Sequence, residues 1–146
     1  MRELVDYALE VGDFVDLATQ DIVMLYIDRL ASTGRIQKAL AFLIKVVQVK
    51  EKLLGRTHQE VVEAFHLLPI LLNKAKRYEE ALHHAEEAIR RESFLYGEQS
   101  LQRLSSLGEH AKALYWTGEK EESETHIIEI KNAALETLDP LKLGIL

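Results

Sequence analysis

Apolar residues recur at three- and four-residue steps along almost the whole chain, and that spacing predicts helices. Polar breaks between the periodic runs fall near Gly12, at Ser32 to Gly34, at Gly55, at Asn73 to Lys76, at Gly97, at Thr117 to Glu119, and at Asp139 with Pro140. Glycine, proline and short polar clusters are what ends a helix, so the runs between breaks read as about seven helices of ordinary length. The chain is expected to be all-α.

The breaks are themselves periodic. "GRIQKAL" begins at Gly34, "KRYEEAL" at Lys76 and "GEKEESE" at Gly118, a constant step of 42 residues. Gly55, Gly97 and Asp139 keep the same step of 42, and "VKEKLLG" and "RESFLYG" end their helices in matching style. A fixed period in this range marks a stacked supersecondary unit, here a helical hairpin used three times. In "KRYEEALHHAEEAIRRE", Ala81, Ala85 and Ala88 lie at i, i+4 and i+7 on one face, where small side chains let the second helix of the hairpin sit close to the helices around it.

Within each copy the pattern resembles the tetratricopeptide repeat. The matching positions are Phe65, Leu68, Pro69 and Leu72 followed by Ala81, Ala85 and Ala88 in the middle copy. The first copy supplies Val23, Tyr26, Ile27 and Leu30, then Ala39, Leu43 and Val46; the third, the most degraded, supplies Leu107, His110, Ala111 and Leu114, then Ser123, Ile127 and Ile130. The period exceeds the usual one of about 34 by roughly eight residues, close to one more turn on each helix. In that respect the unit resembles the kinesin light chain type, which also carries a Leu-Gly-x-x-His element. The chain has "LLGRTHQEV" at Leu53 to Val61 and the weaker "LYGEQSLQR" at Leu95 to Arg103. Where kinesin light chains favour asparagines on the inner helices, this chain has Leu25, Leu67 and Glu109, so their cargo function does not carry over.

The resemblance covers about Gly12 to Pro140. It implies a helical-hairpin solenoid of three hairpins behind an N-terminal helix, with the leading helix at residues 1–11, the copies at 12–54, 55–96 and 97–138, and a tail at 139–146. It also implies a non-enzymatic scaffold or adaptor that takes a peptide or helix of another protein along a concave inner surface.

Composition narrows the function further. With 146 residues, 47% of them hydrophobic, the chain suffices for one domain. No window approaches the ~18 apolar residues of a membrane helix, and "MRELVDYALE" places acids where a signal peptide needs an apolar run. The expectation is a soluble, cytoplasmic protein with no membrane partner. The absence of cysteine excludes disulfides and thiolate chemistry. A net charge of −6 argues against nucleic acid as a partner.

Chemistry is hard to place. His83 and His84 point about 100° apart on a helix and cannot share an ion, and no His-Glu-x-x-His spacing supports the other histidines. His110, at a consensus leucine, reads as a hydrogen-bonded core histidine. Ser105 and Ser106 lack a nucleophile elbow, and no glycine-rich phosphate loop exists. No catalytic residue, metal site or cofactor is expected. Pro69 interrupts "EAFHLLPILLNK", where it removes a backbone hydrogen bond and crowds the Phe65 carbonyl; the resulting bend is either tolerated by packing or used to shape the inner surface. The charged runs read as solvated faces, with Glu86 to Arg90 and Glu87 to Arg91 as i, i+4 pairs.

The candidate partner surface comes from inner-helix positions that point away from the second helices. These are Asp21, Met24, Asp28 and Ser32 in the first copy, Glu63, His66, Ile70, Asn73 and Lys74 in the second, and Ser105, Lys112, Tyr115 and Trp116 in the third. The acidic residues gather at one end, and the basic and aromatic ones at the other. Lys74 and Lys112, about one pitch apart, are expected to meet a partner's carboxylates, and Tyr115 its apolar side chain. Trp116 is either an anchor or a plug closing the last inner helix. A different reading is self-association through exposed stack ends, or a fragment of a longer array, with the apolar "LKLGIL" folding back near Ile127 and Ile130 or burying in a dimer.

Overall fold

The computed structural model describes residues 17–138 together with Leu141 and Gly144. The expected leading helix at residues 1–11, and the tail apart from Leu141 and Gly144, lie outside the described residues. Six helices follow one another: α1 (Leu17–Ser32), α2 (Ile36–Leu54), α3 (Gln59–Lys74), α4 (Tyr78–Tyr96), α5 (Leu101–Trp116) and α6 (Lys120–Thr137). The described residues contain no strand, and the helices break at the glycines and polar clusters of the sequence.

The 42-residue step repeats the chemistry of the connections. Gly34, Lys76 and Gly118 stand at equivalent turns, and all have positive φ, at 81°, 61° and 97°. Glycine enters that left-handed region freely, whereas Lys76 carries the clash of its Cβ. Between copies, Gly55 and Gly97 end α2 and α4. Three residues on, the backbone N–H of Glu60 donates to His58 Nδ1, and that of Arg103 to Ser100 Oγ, each at 3.2 Å. The histidine of the Leu-Gly-x-x-His element is therefore a helix N-cap, and Ser100 replaces it in the next copy.

The helices divide into two compact units, the first ending at Lys76 and the second beginning at Arg77. The boundary falls between the two helices of the middle copy. In the first unit α2 packs against α1 and α3; in the second α5 packs against α4 and α6.

The first unit has a core of branched and aromatic side chains. Val23, Ile27 and Leu30 of α1, Leu40, Leu43 and Val46 of α2, and Val61, Val62, Phe65, Leu68 and Leu72 of α3 are all buried, with α2 packed against both neighbouring helices. Each such side chain contributes about 1.5–3 kcal/mol by leaving water. Tyr26 and Phe42 meet edge to face with 5.1 Å between ring centroids. Pro69 does not end α3, which runs on to Lys74, and its ring is fully buried. Burial of the ring in the core offsets the missing hydrogen bond.

The second unit packs smaller and more polar groups. Ala81, Ala85 and Ala88 are buried, as their spacing requires, and α4 sits against α5. Glu92 is buried at the position equivalent to the buried Lys50 of the first unit, and the Ser106 hydroxyl donates to its two carboxylate oxygens at 2.7 and 3.0 Å. Burial pushes the Lys50 ammonium pKa down, while Glu60 and Glu63 of α3 oppose that shift. The Ser123 hydroxyl donates to the Ala111 carbonyl at 2.7 Å, tying α6 to α5.

Family-pattern positions in α1 to α5 are buried, apart from the half-buried Tyr26. In α6 only Ser123 is; Ile127 is 55% exposed and Ile130 half-buried. The reason is coverage: α3 lies over α2 and α5 over α4, while no described helix follows α6. Leu141 is exposed as well.

Candidate binding grooves

Within the first unit, α1 and α3 form the walls of an apolar groove of about 450 Å³. From α1 come Met24, Leu25, Ile27, Asp28 and Ala31; from α3 come Leu67, Ile70, Leu71 and Lys74. The spacing explains the shared face, since i, i+3, i+4 and i+7 all point to one side of a helix. Four of the residues expected at the partner surface, Met24, Asp28, Ile70 and Lys74, are thus brought together. Asp28 and Lys74 have no ion-pair or hydrogen-bond partner among the described residues.

The other expected residues sit elsewhere. Asp21 lies on α1, and its side chain is outside what the structure describes. Glu63 accepts a hydrogen bond from Gln59 Nε2 at 3.0 Å and acts on Lys50. His66 and Asn73 are half-buried outside the groove lining, and the Ser32 hydroxyl donates to the Arg29 carbonyl. The groove residues that the spacing argument did not select are Leu25, Ile27, Ala31, Leu67 and Leu71. A signal for two of them was present, because Leu25 and Leu67 are exposed or half-exposed leucines at equivalent inner positions.

In the second unit, Lys112, Tyr115 and Trp116 line a smaller cleft of about 390 Å³ between α5 and α6, with Gly108, Ala111, Ser123 and Ile127. Lys112 donates to Glu109 at 3.0 Å. The 42-residue step pairs Lys112 with Ile70 and Lys74 with Trp116, so the two lysines occupy different places in the unit rather than one pitch. Trp116 stacks on Tyr78 at 5.8 Å and meets Tyr115 edge-on at 5.2 Å, yet remains 63% exposed. It closes α5 against α4 and still offers a ring to solvent. Ser105 is exposed on the same helix, outside the cleft lining.

The histidines form a structural cluster. His110 is buried, with Nδ1 2.8 Å from His126 Nε2 and Nε2 3.3 Å from Glu86 Oε1. Burial lowers the His126 pKa, and the neighbouring His110 lowers it further, against the pull of Glu122 and Glu129. Glu86 therefore faces His110 rather than Arg90, and Glu87 takes both arginines, at 2.6 Å from Arg90 and 3.0 Å from Arg91. This corrects the expected i, i+4 pair of Glu86 with Arg90. Burial raises the Glu87 pKa, but the hydrogen bonds from Arg90 and Arg91 outweigh it and the net shift is downward. No group of three metal-ligating side chains converges among the described residues.

Residues 29–92, from the last turn of α1 to α4, match the family described as Tetratricopeptide repeat. Over that stretch, which is under half of the chain, the sequence is similar to the tetratricopeptide repeat. Tetratricopeptide repeats generally mediate protein–protein interaction on a non-catalytic fold. Two solved structures from Podosopora anserina, both of a candidate kinesin light chain with nearly identical TPR-like repeats, share the architecture. One, a point variant, has a TM-score of 0.71 and 18% identity, covering 93% of this chain and 66% of its own. The other has a TM-score of 0.68 and 18% identity, covering 92% and 69%. This chain thus spans just under two thirds of the first, and at such identity the likeness concerns the fold alone. No curated protein sequence matches the chain. No helix among the described residues is long and apolar enough to cross a membrane. The leucines at positions 25 and 67 contribute to the apolar lining of the groove in the first unit.

Proposed function

We propose that the chain is a cytoplasmic protein-interaction module, in a scaffold or adaptor role, whose first unit holds an apolar side chain of a partner segment in the α1/α3 groove. One observation supports this reading above the others: an apolar floor with Leu25 57% exposed is flanked by an acid and a base, Asp28 and Lys74, that lack ion partners among the described residues. An aliphatic or aromatic side chain entering the groove gains about 1.5–3 kcal/mol from burial. A basic residue on one flank of that anchor meets Asp28 and an acidic residue on the other meets Lys74, so the two charges set the direction in which the segment lies. The anchor governs dissociation and the charges govern orientation and on-rate.

The test begins with peptides selected from a random display library on the immobilised chain, followed by calorimetry with the best of them. Leu67→Asn should weaken binding at least about tenfold, which corresponds to roughly 1.4 kcal/mol. Lys74→Glu should weaken it and flatten its salt dependence, and the thermal melting curve should stay in place for both. Arg90→Glu, on an exposed face of α4, is the control and should leave affinity unchanged; Arg91 is unsuitable because its side chain is only 9% exposed. If Arg90→Glu removes binding while the groove variants do not, the groove reading fails.

A further inference from the structure

The seam between α5 and α6 is narrow. The α6 side chains withdrawn from solvent are Ser123, His126, Ile130 and Ala133, at i, i+3, i+7 and i+10, and of these only Ser123 is fully buried. Its hydroxyl donates to the Ala111 carbonyl, and a Cβ added at Gly108 would lie 3.8 Å from Ile130 Cδ1. α4, the other helix packed on α5, buries Ala81, Ala85, Ala88 and Glu92 outright. Within the weaker seam sits a titratable contact, His126 against the buried His110, with their facing nitrogens 2.8 Å apart.

We propose that this pair is an acid-sensitive latch: it ties α6 to α5 while it holds at most one added proton, and the second added proton releases α6 from an α4/α5 pair that stays folded. The protons can be placed one by one. His110 Nε2 faces the Glu86 carboxylate of α4 at 3.3 Å, and a carboxylate only accepts, so that nitrogen carries a proton. In the neutral ring Nδ1 is then bare, and it accepts from the Nε2–H of His126. The open position is His126 Nδ1. A first added proton goes there and breaks neither hydrogen bond. Glu122 and Glu129 of α6 favour it, and Arg103 of α5, itself 3.2 Å from Glu98 and 3.1 Å from Glu129, opposes it. A second proton has only His110 Nδ1 left, where it meets the N–H of His126. Two donors at 2.8 Å, each on a charged ring, cannot stay in contact, and α6 has little buried apolar surface to resist the separation. Burial of His126 and the neighbouring His110 already lower its pKa, so release falls on the acid side of the ordinary histidine value of about 6.5. Separation bares Ala111, which is buried while α6 is in place.

Amide hydrogen exchange on the full chain between pH 7 and pH 5, corrected for the intrinsic pH dependence of exchange, reads the latch helix by helix. An opening that takes up one proton lowers protection about tenfold per pH unit, so the amides of α6 should lose at least about tenfold over this range while those of α4 keep theirs. His126→Gln should remove this pH dependence. Ile130→Ala, which loosens the seam without touching a titrating group, should lower α6 protection at both ends of the range and leave its pH dependence in place. Should His126→Gln strip α6 of protection already at pH 7, the parent chain decides the matter through 15N-labelled histidine. Its spectra should show both Nε2 atoms protonated at pH 7, and the loss of α6 protection should coincide with the second of two protonation steps of the pair. Protection of α6 that does not change with pH overturns the proposal, as does its loss together with that of α4, its loss at the first step, or an unchanged pH dependence in His126→Gln.

Discussion

Lys76 shows how a residue can be placed by its neighbours in the repeat rather than by its own preference. It occupies the left-handed turn that Gly34 and Gly118 occupy in the other copies. For a residue with a Cβ that conformation costs about 1–2 kcal/mol, and the greater freedom of glycine in the unfolded chain takes back about 0.5–1 kcal/mol. Lys76→Gly should therefore stabilise the protein by about 0.5–1 kcal/mol, seen as a rise in the thermal midpoint by circular dichroism. The side chain is exposed, so no packing is lost. A midpoint that falls would show that the turn gains more from lysine than the conformation costs. Glu87 carries a related lesson, because helical spacing offers it Arg91 and gives Glu86 Arg90. The structure instead turns Glu86 toward His110, leaving Glu87 to take both arginines. Spacing along one helix gives possible partners; a buried imidazole on the next helix decides among them.

Among the elements, α6 is held to α5 through polar contacts rather than a broad apolar seam. Ser123 bonds the Ala111 carbonyl, Arg103 Nη1 reaches Glu129 at 3.1 Å, and His126 meets His110. A nitrogen–nitrogen distance of 2.8 Å has room for one proton, so the two facing nitrogens cannot both carry one. The groups around His126 are His110 and Arg103 on α5 and Glu122 and Glu129 on its own helix, with Glu86 of α4 on the far side of His110. Since burial and His110 lower the His126 pKa, the folded state favours its neutral ring. The stability this contributes is present above the unfolded pKa of about 6.5 and is lost as pH falls from there through the lower folded value. The melting temperature should decline between pH 7 and pH 5 more steeply for the parent chain than for His126→Gln, which keeps a donor without titrating. Equal slopes would mean that the histidine pair does not couple to folding.

Taken whole, the molecule uses one repeat pattern with two kinds of core. Leu43 and Ala85 are equivalent, and both are fully buried. Leu43→Ala should cost about 2–5 kcal/mol by leaving a cavity among the large side chains of the first unit. Ala85→Leu should also destabilise, by about 1–3 kcal/mol, because α4 and α5 approach across small residues. Denaturant titration measures both; a stabilising Ala85→Leu would show that the second unit holds unfilled space. The all-helical class and the helix limits were legible from the sequence, since apolar period and glycine positions are local facts about the chain. So was the closeness that Ala81, Ala85 and Ala88 permit. The groove was legible only in part. Periodicity names the face of a helix that lies inward, which found Met24, Asp28, Ile70 and Lys74, but it cannot say which inward residues meet those of another helix. Leu25 and Leu67 came to line one groove, and Glu63 became a neighbour of Lys50, only through the packing of α1, α2 and α3. The exposure of Ile127 was likewise decided by tertiary structure: its place in the repeat makes it a core position, and burial requires a helix on its other side.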